Sequence, residues 1–265
     1  MRPAWRLIED AGGEAARNMA LDEAIATHVR SGSAPPTLRL YGWDRPSVTL
    51  GAFQRAAEVD ATLCADADIP LVRRPTGGRA ILHGNELTYS FSAPTCPTLE
   101  CGAFSHGLFS SYKALSRAFE HAFAALGLPT STERSRRAAP GHTPLCFESA
   151  SFGEMTAGRR KIIGSAQRRW PGGLLQQGSI PLTLDYAAME RVFGPRASGA
   201  RDLMAGLAEF LPSVSIGDLR QAIVEAFEEA FGIGFVAERP SREEEDLATD
   251  LTERKYLLPD WTFRR

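Results

Sequence analysis

The residues with the clearest chemical potential are a cysteine and a lysine fifteen positions apart, Cys146 and Lys161. A free thiol, with a pKa of about 8.5, is a poor nucleophile at neutral pH, and a neighbouring ammonium group stabilises the reactive thiolate. A hairpin between the two positions would bring them together. The pair therefore indicates nucleophilic chemistry at sulfur, although a lone cysteine between Leu145 and Phe147 also fits a small buried hydrophobe.

A second candidate site is the segment RRPTGGRAILH, which begins at Arg73 and ends at His83. Its bare backbone at Gly77 and Gly78 lets a ligand approach main-chain N–H groups, although two glycines between strands also make an ordinary turn. Arg73 and Arg74 fit either donors to an anion or solvated charges at a strand end. His83 fits either a base or a structural histidine. The segment predicts a substrate-binding loop.

Composition narrows the classes of protein that fit. The chain has 265 residues, 43% of them hydrophobic, and no apolar run near the roughly 18 residues of a membrane span. Its net charge of −2 argues against a nucleic-acid-binding role. The first residues lack the apolar core of a signal peptide, so we expect a cytoplasmic protein with no membrane partner and with reduced cysteines. The cysteine spacing predicts no metal site.

The apolar pattern predicts a mixed α/β chain with strands beside each candidate site. Helical spacing predicts helices over residues 14–30, 58–67, 105–127, 185–193, 201–211 and 216–231. Alternation and short apolar runs predict strands over residues 38–41, 48–50, 69–72, 80–83, 87–91, 153–157, 161–167 and 174–180. Ser105 and Ser215 are the expected N-caps of two helices, and Asp218 completes a capping box with Ser215.

The same pattern predicts how the chain divides. We expect a single catalytic domain over residues 1–265, with a core at about residues 35–240 and a short helical tail over 241–265. No accessory C-terminal domain is expected. Residues 130–143 have no periodicity and are rich in arginine, so they predict a mobile basic loop that leads to Cys146.

These motifs together resemble the biotin and lipoate protein ligase superfamily over nearly the whole chain. The matching segments are RRPTGGRAILH from Arg73, ELTYS from Glu86, NMALD from Asn18, GRRKIIGSAQ from Gly158, QQGS from Gln176, and Lys255-Tyr256 with Trp261. The resemblance implies that superfamily's catalytic-domain fold, with mixed β-sheets flanked by helices. It also implies that Gly164, Ser165 and Ala166 bind substrate together with the arginines, glycines and histidine of the first segment.

Within the superfamily, a cysteine at 146 with a lysine at 161 resembles the octanoyltransferases that load the glycine cleavage H protein. The resemblance implies that Cys146 takes octanoate from octanoyl acyl carrier protein as a thioester, assisted by Lys161. The acceptor would be a lysine of the H protein or of a lipoyl domain, and no ATP, metal or other cofactor would be needed.

Three other functions stay open at this stage. They are an ATP-dependent lipoate-protein ligase, an amidotransferase between lipoyl domains, and a non-catalytic protein that binds acylated carriers. Arg79 argues against the ligase, because it occupies the place of the third glycine that the ligases generally have in this loop.

Overall fold

The computed structural model describes residues 2–95, 104, 107–132 and 155–265. Its strands are β1 Ala4–Gly13, β2 Thr37–Trp43, β3 Ser47–Leu50, β4 Leu71–Arg73, β5 Ile81–His83, β6 Glu86–Pro94, β7 Met155–Ala157, β8 Arg160–Trp170, β9 Gly173–Pro181 and β10 Gly234–Ala237. Its α-helices are α1 Ala15–Ser31, α2 Ala61–Asp66, α3 Leu108–Ala125, α4 Tyr186–Phe193, α5 Ala200–Leu203, α6 Ile216–Phe231, α7 Arg242–Leu251 and α8 Pro259–Thr262. Cys146 and most of the predicted basic loop lie outside the described residues.

Two sheets organise these elements. The larger has the order β10-β1-β2-β6-β9-β8-β7, with β10, β1 and β2 parallel and the other neighbours antiparallel. The smaller has the order β4-β3-β5. Because β2 runs into β3 through a turn of three residues, from Asp44 to Pro46, the chain passes directly from the large sheet to the small one. The strands that carry the sequence motifs therefore lie on the two sides of this junction, with β4 and β5 in the small sheet and β6, β8 and β9 in the large sheet.

Alternation along β6 gives the large sheet two chemically different faces. Leu87, Tyr89 and Phe91 are buried with α3 and α6 on one face, where the rings of Phe119 and Phe227 meet edge to face with centroids 5.3 Å apart. Each such buried aromatic side chain contributes about 1.5–3 kcal/mol. The polar residues between them, such as Ser90, point to the opposite face and towards α1. One face is thus a hydrophobic core and the other carries buried polar groups.

The packed core extends beyond the predicted bounds of about residues 35–240. Strand β1 and helix α1 precede those bounds, and the side chains of Ile8 and Ile25 are buried there. Helix α7 lies against α1 and carries Glu244, which is buried and paired with Arg6 through a 2.8 Å contact to Nη1. The predicted C-terminal tail is therefore part of the core.

Several local predictions are confirmed and two are wrong. Helix α6 has the predicted capping box, with the Asp218 N–H donating to Ser215 Oγ over 3.1 Å. Helix α3 begins at Leu108 after Gly107, so the predicted cap at Ser105 is wrong. The helix predicted over 201–211 is reduced to α5 and a short 3₁₀ turn over Leu207–Glu209, because Met204 bridges the start of β8. No helix within the described residues is long and apolar enough to cross a membrane.

Candidate active site

A narrow cavity lies at the junction of the two sheets and has an accessible volume of about 20 Å³. Strands of both sheets form its wall, together with one residue of α1 and with Arg74, which follows β4. The lining residues are Met19, Tyr41, Trp43, Thr49, Arg74, Ile81, His83, Thr88, Gly164, Ser165, Ala166, Gln177, Gly178 and Ser179. Five of the residues predicted from the sequence to bind substrate meet here, namely Arg74, His83, Gly164, Ser165 and Ala166.

The glycine loop of residues 75–80 takes its shape from Arg74. The Nη2 group donates to the carbonyls of Gly77 and Arg79, each over 2.7 Å, and Nη1 donates to the Thr49 hydroxyl over 3.1 Å. Gly78 has a φ of 82°, a left-handed conformation that favours glycine. These contacts fix the backbone conformation of Gly77 and Gly78. Both glycines lie beside the cavity and are not part of its lining.

Arg73 has a different environment from its neighbour. Its guanidinium is buried and donates to the carbonyls of Gly51 and Gln54 over 2.6 Å and of Thr262 over 2.7 Å. Burial, helped by nearby arginines, lowers its pKa to about 10. In return, Trp261 Nε1 donates to the Arg73 carbonyl over 2.7 Å. The sequence predicts substrate contact for both arginines, whereas the structure places Arg73 away from the cavity, where it fixes the end of the chain to the 51–54 turn.

His83 belongs to a buried chain of hydrogen bonds along the cavity wall. Its Nδ1 lies 2.8 Å from Glu86 Oε1 and its Nε2 lies 2.8 Å from Thr49 Oγ1. Because a carboxylate only accepts, Nδ1 donates to Glu86, and in the neutral ring Nε2 accepts from the Thr49 hydroxyl. Trp43 stacks on the imidazole with centroids 3.9 Å apart and donates through Nε1 to Thr88. The ring is therefore fixed in both orientation and tautomer.

Glu86 is buried yet favours its charged form. Burial raises the pKa of a carboxyl, but His83 and the hydroxyls of Thr88 and Ser179 stabilise the carboxylate and outweigh burial, so the pKa of Glu86 lies below its ordinary value of 4.5. Glu86 thus places a carboxylate directly behind the imidazole, outside the lining of the cavity.

A second buried network joins the glycine loop to α1. Thr76 Oγ1 donates to Gln177 Oε1 over 2.8 Å, and Gln177 Nε2 donates to Asp22 Oδ2 over 2.7 Å. Asp22 is fully buried and also pairs with Arg39 Nη1 over 2.8 Å. Tyr41 donates its hydroxyl to Asp22 over 2.8 Å. Gln177, Arg39 and Tyr41 each donate to a carboxylate oxygen of Asp22, which is how a buried charge is stabilised.

The opposite wall of the cavity comes from β8 and β9. Ser165 Oγ lies 2.8 Å from the Tyr89 hydroxyl, and Gln176 Nε2 donates to the same hydroxyl over 2.9 Å. Burial raises the pKa of Tyr89 to about 12, so this hydroxyl stays protonated. A Cβ on Gly178 would lie 2.2 Å from the Tyr89 ring, so glycine is required where the backbone of β9 crosses that ring. Apart from Gln177, this wall is thus made of backbone and small residues, and no large side chain of β8 enters the cavity.

Lys161 lies at the start of β8, three residues before Gly164. Its side chain is buried, its carbonyl accepts from the Ala205 N–H over 3.0 Å, and it is not part of the cavity lining. Cys146 is outside the described residues, so the predicted pairing of the two stays a prediction. Sequence reasoning did not single out Trp43, Thr49 or Gln177 as lining residues, although Gln177 is part of the QQGS motif.

Comparison with known proteins fits this geometry. A family model for the lipoyl protein ligase A/B catalytic domain matches residues 14–228. The chain belongs to this family. Octanoyltransferase LipM of Kyrpidia tusciae is 38% identical to it over 284 residues, which cover 98% of this chain and 99% of the relative.

Solved structures of the lipoyl protein ligase family share the fold. Lipoate-protein ligase A bound with ATP superposes with a TM-score of 0.83 at 26% identity and covers 99% of each chain. A bipartite lipoate protein ligase of Thermoplasma acidophilum, described with its E2 lipoyl domain, has a TM-score of 0.80 at 25% identity and covers 98% of this chain and 96% of its own. The catalytic-domain fold that the motifs predict is therefore confirmed.

Proposed function

We propose that this chain is an octanoyltransferase of protein lipoylation that moves an octanoyl group from acyl carrier protein, through a thioester on Cys146, to a lysine of a lipoyl-accepting protein. The observation that carries the proposal is the full-length similarity to octanoyltransferase LipM. The family's motifs meet at the narrow cavity, which is where we place the reaction. The acceptor is a lipoyl domain or the glycine cleavage H protein.

The reaction has two halves. In the first, the Cys146 thiolate attacks the thioester carbonyl, the bond from the carbonyl carbon to the carrier sulfur breaks, and the carrier leaves as a thiolate that takes up a proton. In the second, the neutral amine of the acceptor lysine attacks the acyl-enzyme, the bond to Cys146 breaks, and the amine loses a proton as the amide forms. The thioester is already activated, so neither half needs ATP or a metal.

Residues near the cavity have distinct parts in this proposal. The acyl chain lies between the small sheet and the backbone of Gly164, Ser165 and Ala166, where no large side chain of β8 intrudes. Lys161 supplies the ammonium group that stabilises the Cys146 thiolate. Backbone N–H groups near Gly77 and Gly78 stabilise the oxyanion that forms in each half of the reaction.

An ATP-dependent lipoate ligase is the second candidate, because the chain also resembles lipoate-protein ligase A bound with ATP. Such an enzyme starts from a free acid and brings a phosphate up to the glycine loop. Arg79 stands in that loop where an extra glycine would leave bare backbone, which favours the transferase.

Intact-mass analysis separates the two. We expect the protein, mixed with octanoyl carrier protein and no nucleotide, to become one octanoyl group heavier, with the group mapped to Cys146. Cys146→Ala should form no adduct, while the matched control Cys64→Ala, at a buried cysteine of α2, should behave like the native chain. ATP-dependent acylation of an acceptor from free octanoate by the Cys146→Ala variant would overturn the transferase.

A further inference from the structure

Beside the glycine loop, a surface combines exposed aromatic rings with arginines. Phe53 is 68% exposed and Phe263 is 48% exposed. The Arg265 guanidinium lies 5.6 Å from the centroid of the Phe53 ring, and Arg264 Nη2 donates to the Ala52 carbonyl over 2.9 Å. We call Phe53, Phe263, Arg168, Arg264 and Arg265 the arginine rim. It is formed where the end of the chain packs on the 51–54 turn.

Two contacts tie the arginine rim to the cavity. Arg168 Nη1 donates to the carbonyl of Pro75, the first residue of the glycine loop, over 3.2 Å. On β8, Arg168 also lies two positions beyond Ala166 and so faces the same side of the sheet as that lining residue. Phe53 lies beside Gly77, since a Cβ there would be 4.0 Å from its ring. The rim therefore continues the cavity wall outwards.

Positive charge accumulates on this surface. Within the described part of the chain, none of Arg168, Arg264 and Arg265 forms an ion pair with a carboxylate. Burial, followed by the charges of Arg265 and Arg168, lowers the pKa of Arg264. The carboxylate of Glu23 acts electrostatically on Arg264, but Lys255 already binds it over 2.8 Å.

Two other carboxylates near these elements do not cancel the charge. Asp260 lies on α8, and Glu58 accepts from Gln54 Nε2 over 3.0 Å in the neighbouring turn. The three exposed or half-buried guanidinium groups of the rim outnumber them, and Arg73 adds a fourth positive charge just beneath. The surface is therefore suited to an anionic, partly apolar partner.

We infer that the arginine rim is the docking surface for the acyl donor, an acidic carrier protein that presents its acyl thioester on a phosphopantetheine arm. This inference rests on the proposed function and adds where and how the donor binds. The donor brings a phosphodiester at the root of its arm and acidic side chains around it, both of which complement guanidinium groups. The exposed rings supply the apolar contact that a charged patch alone lacks.

The alternative occupant, the acceptor protein, fits this surface less well. Its reacting group is a lysine amine, which is a cation until it loses a proton, and clustered arginines repel a cation. Charge complementarity therefore assigns the rim to the donor.

The test compares two donors on the double variant Arg264→Glu/Arg265→Glu. One donor is octanoyl carrier protein and the other is octanoyl-pantetheine, which has neither a protein surface nor a phosphate. We expect kcat/KM for the carrier protein to fall at least about tenfold more than kcat/KM for the small thioester, because steering between opposite charges is lost. Arg242→Glu, at an exposed arginine of α7, is the matched control and should leave both values unchanged.

Ionic strength and the acceptor supply two further readouts. Raising salt should lower kcat/KM for the carrier protein in the native chain and have a smaller effect in the double variant. Equal losses with both donors would overturn the inference, as would a rise confined to the KM of the acceptor, which would make the acceptor the occupant.

A direct binding measurement tests the docking surface independently of the proposed transfer activity. If the native chain transfers octanoate from neither donor, the proposed function fails. Docking is then tested by fluorescence anisotropy with labelled octanoyl carrier protein. Binding at least about tenfold weaker in the double variant than in Arg242→Glu supports the docking surface. Equal binding by the two variants overturns it.

Discussion

Gln177 Nε2 donates to Asp22 Oδ2 over 2.7 Å, although the two residues are 155 positions apart in the chain. Gln177 lies on β9 and Asp22 on α1, and the same carboxylate also binds Arg39 and accepts from Tyr41 and Ser90. Through Thr76, which donates to Gln177, this contact reaches the glycine loop. The position of the loop relative to α1 therefore depends on one buried carboxylate.

Removing that carboxylate should be costly. Asp22→Ala leaves Arg39 buried without its inner partner, and breaking a buried ion pair in this way costs about 3–5 kcal/mol. We expect that loss in the free energy of unfolding measured by urea denaturation. Asp10→Ala is the matched control, because Asp10 binds the same arginine over 2.6 Å but is 32% exposed, and its loss should be clearly smaller. Equal losses for the two variants would show that the buried network is not what stabilises this region.

The Asp22 network also shows which features of the fold can be predicted from the sequence. The helix that carries Asp22 and the strand that carries Gln177 are both evident from local apolar patterns, because a periodicity needs only neighbouring residues. Their contact is not evident, since it depends on β6 lying between β2 and β9 in the large sheet. Only the resemblance to a known family connects the NMALD and QQGS segments in advance.

Adjacent arginines show a second limit. Arg73 and Arg74 are the same residue type in the same motif, and the sequence gives both the same expected role. Successive side chains at the end of a strand point in different directions. The Arg73 guanidinium is therefore surrounded by backbone carbonyls, whereas Arg74 lines the cavity. The wrong helix over 201–211 has a similar origin, because the Ala205 N–H is bonded to the Lys161 carbonyl and cannot continue a helix.

The approach of Gly51 to the glycine loop gives a prediction about activity. A Cβ at Gly51 would lie 1.8 Å from the Gly78 carbonyl oxygen, so Gly51→Ala must displace the loop backbone. If the loop positions the reacting thioester, a shift of this size should lower octanoyl transfer by about a hundredfold. The measurement is kcat/KM with octanoyl carrier protein, with a thermal unfolding curve to show that the variant is folded.

Gly84→Ala is the control for this experiment. A Cβ at Gly84 meets nothing within 4 Å and its φ is not positive, so transfer should stay within about twofold of the native rate. A folded Gly51→Ala variant with undiminished transfer would mean that the shape of the loop does not matter for the reaction.

Glu86 gives a prediction about pH. Its pKa in the folded chain lies below 4.5, because His83, Thr88 and Ser179 stabilise the carboxylate despite its burial. The unfolded chain therefore binds this proton first as the pH falls. The stabilisation is fully present above about pH 4.5 and is lost as the pH falls through the lower pKa of the folded state. Glu86→Gln removes the charge, so the native chain should be more stable than the variant at pH 6 and the difference should shrink below pH 4.5.

The measurement is the free energy of unfolding from urea titrations of both proteins between about pH 6 and pH 3. Asp246→Asn serves as the control, because its exposed carboxylate lies 3.9 Å from Arg242 and such a pair contributes little. Its difference from the native chain should be small throughout. The difference in free energy of unfolding between native and Glu86→Gln proteins could instead stay constant down to pH 3. In that case Glu86 contributes through packing and shape, and its neighbours do not hold its carboxylate in the charged form.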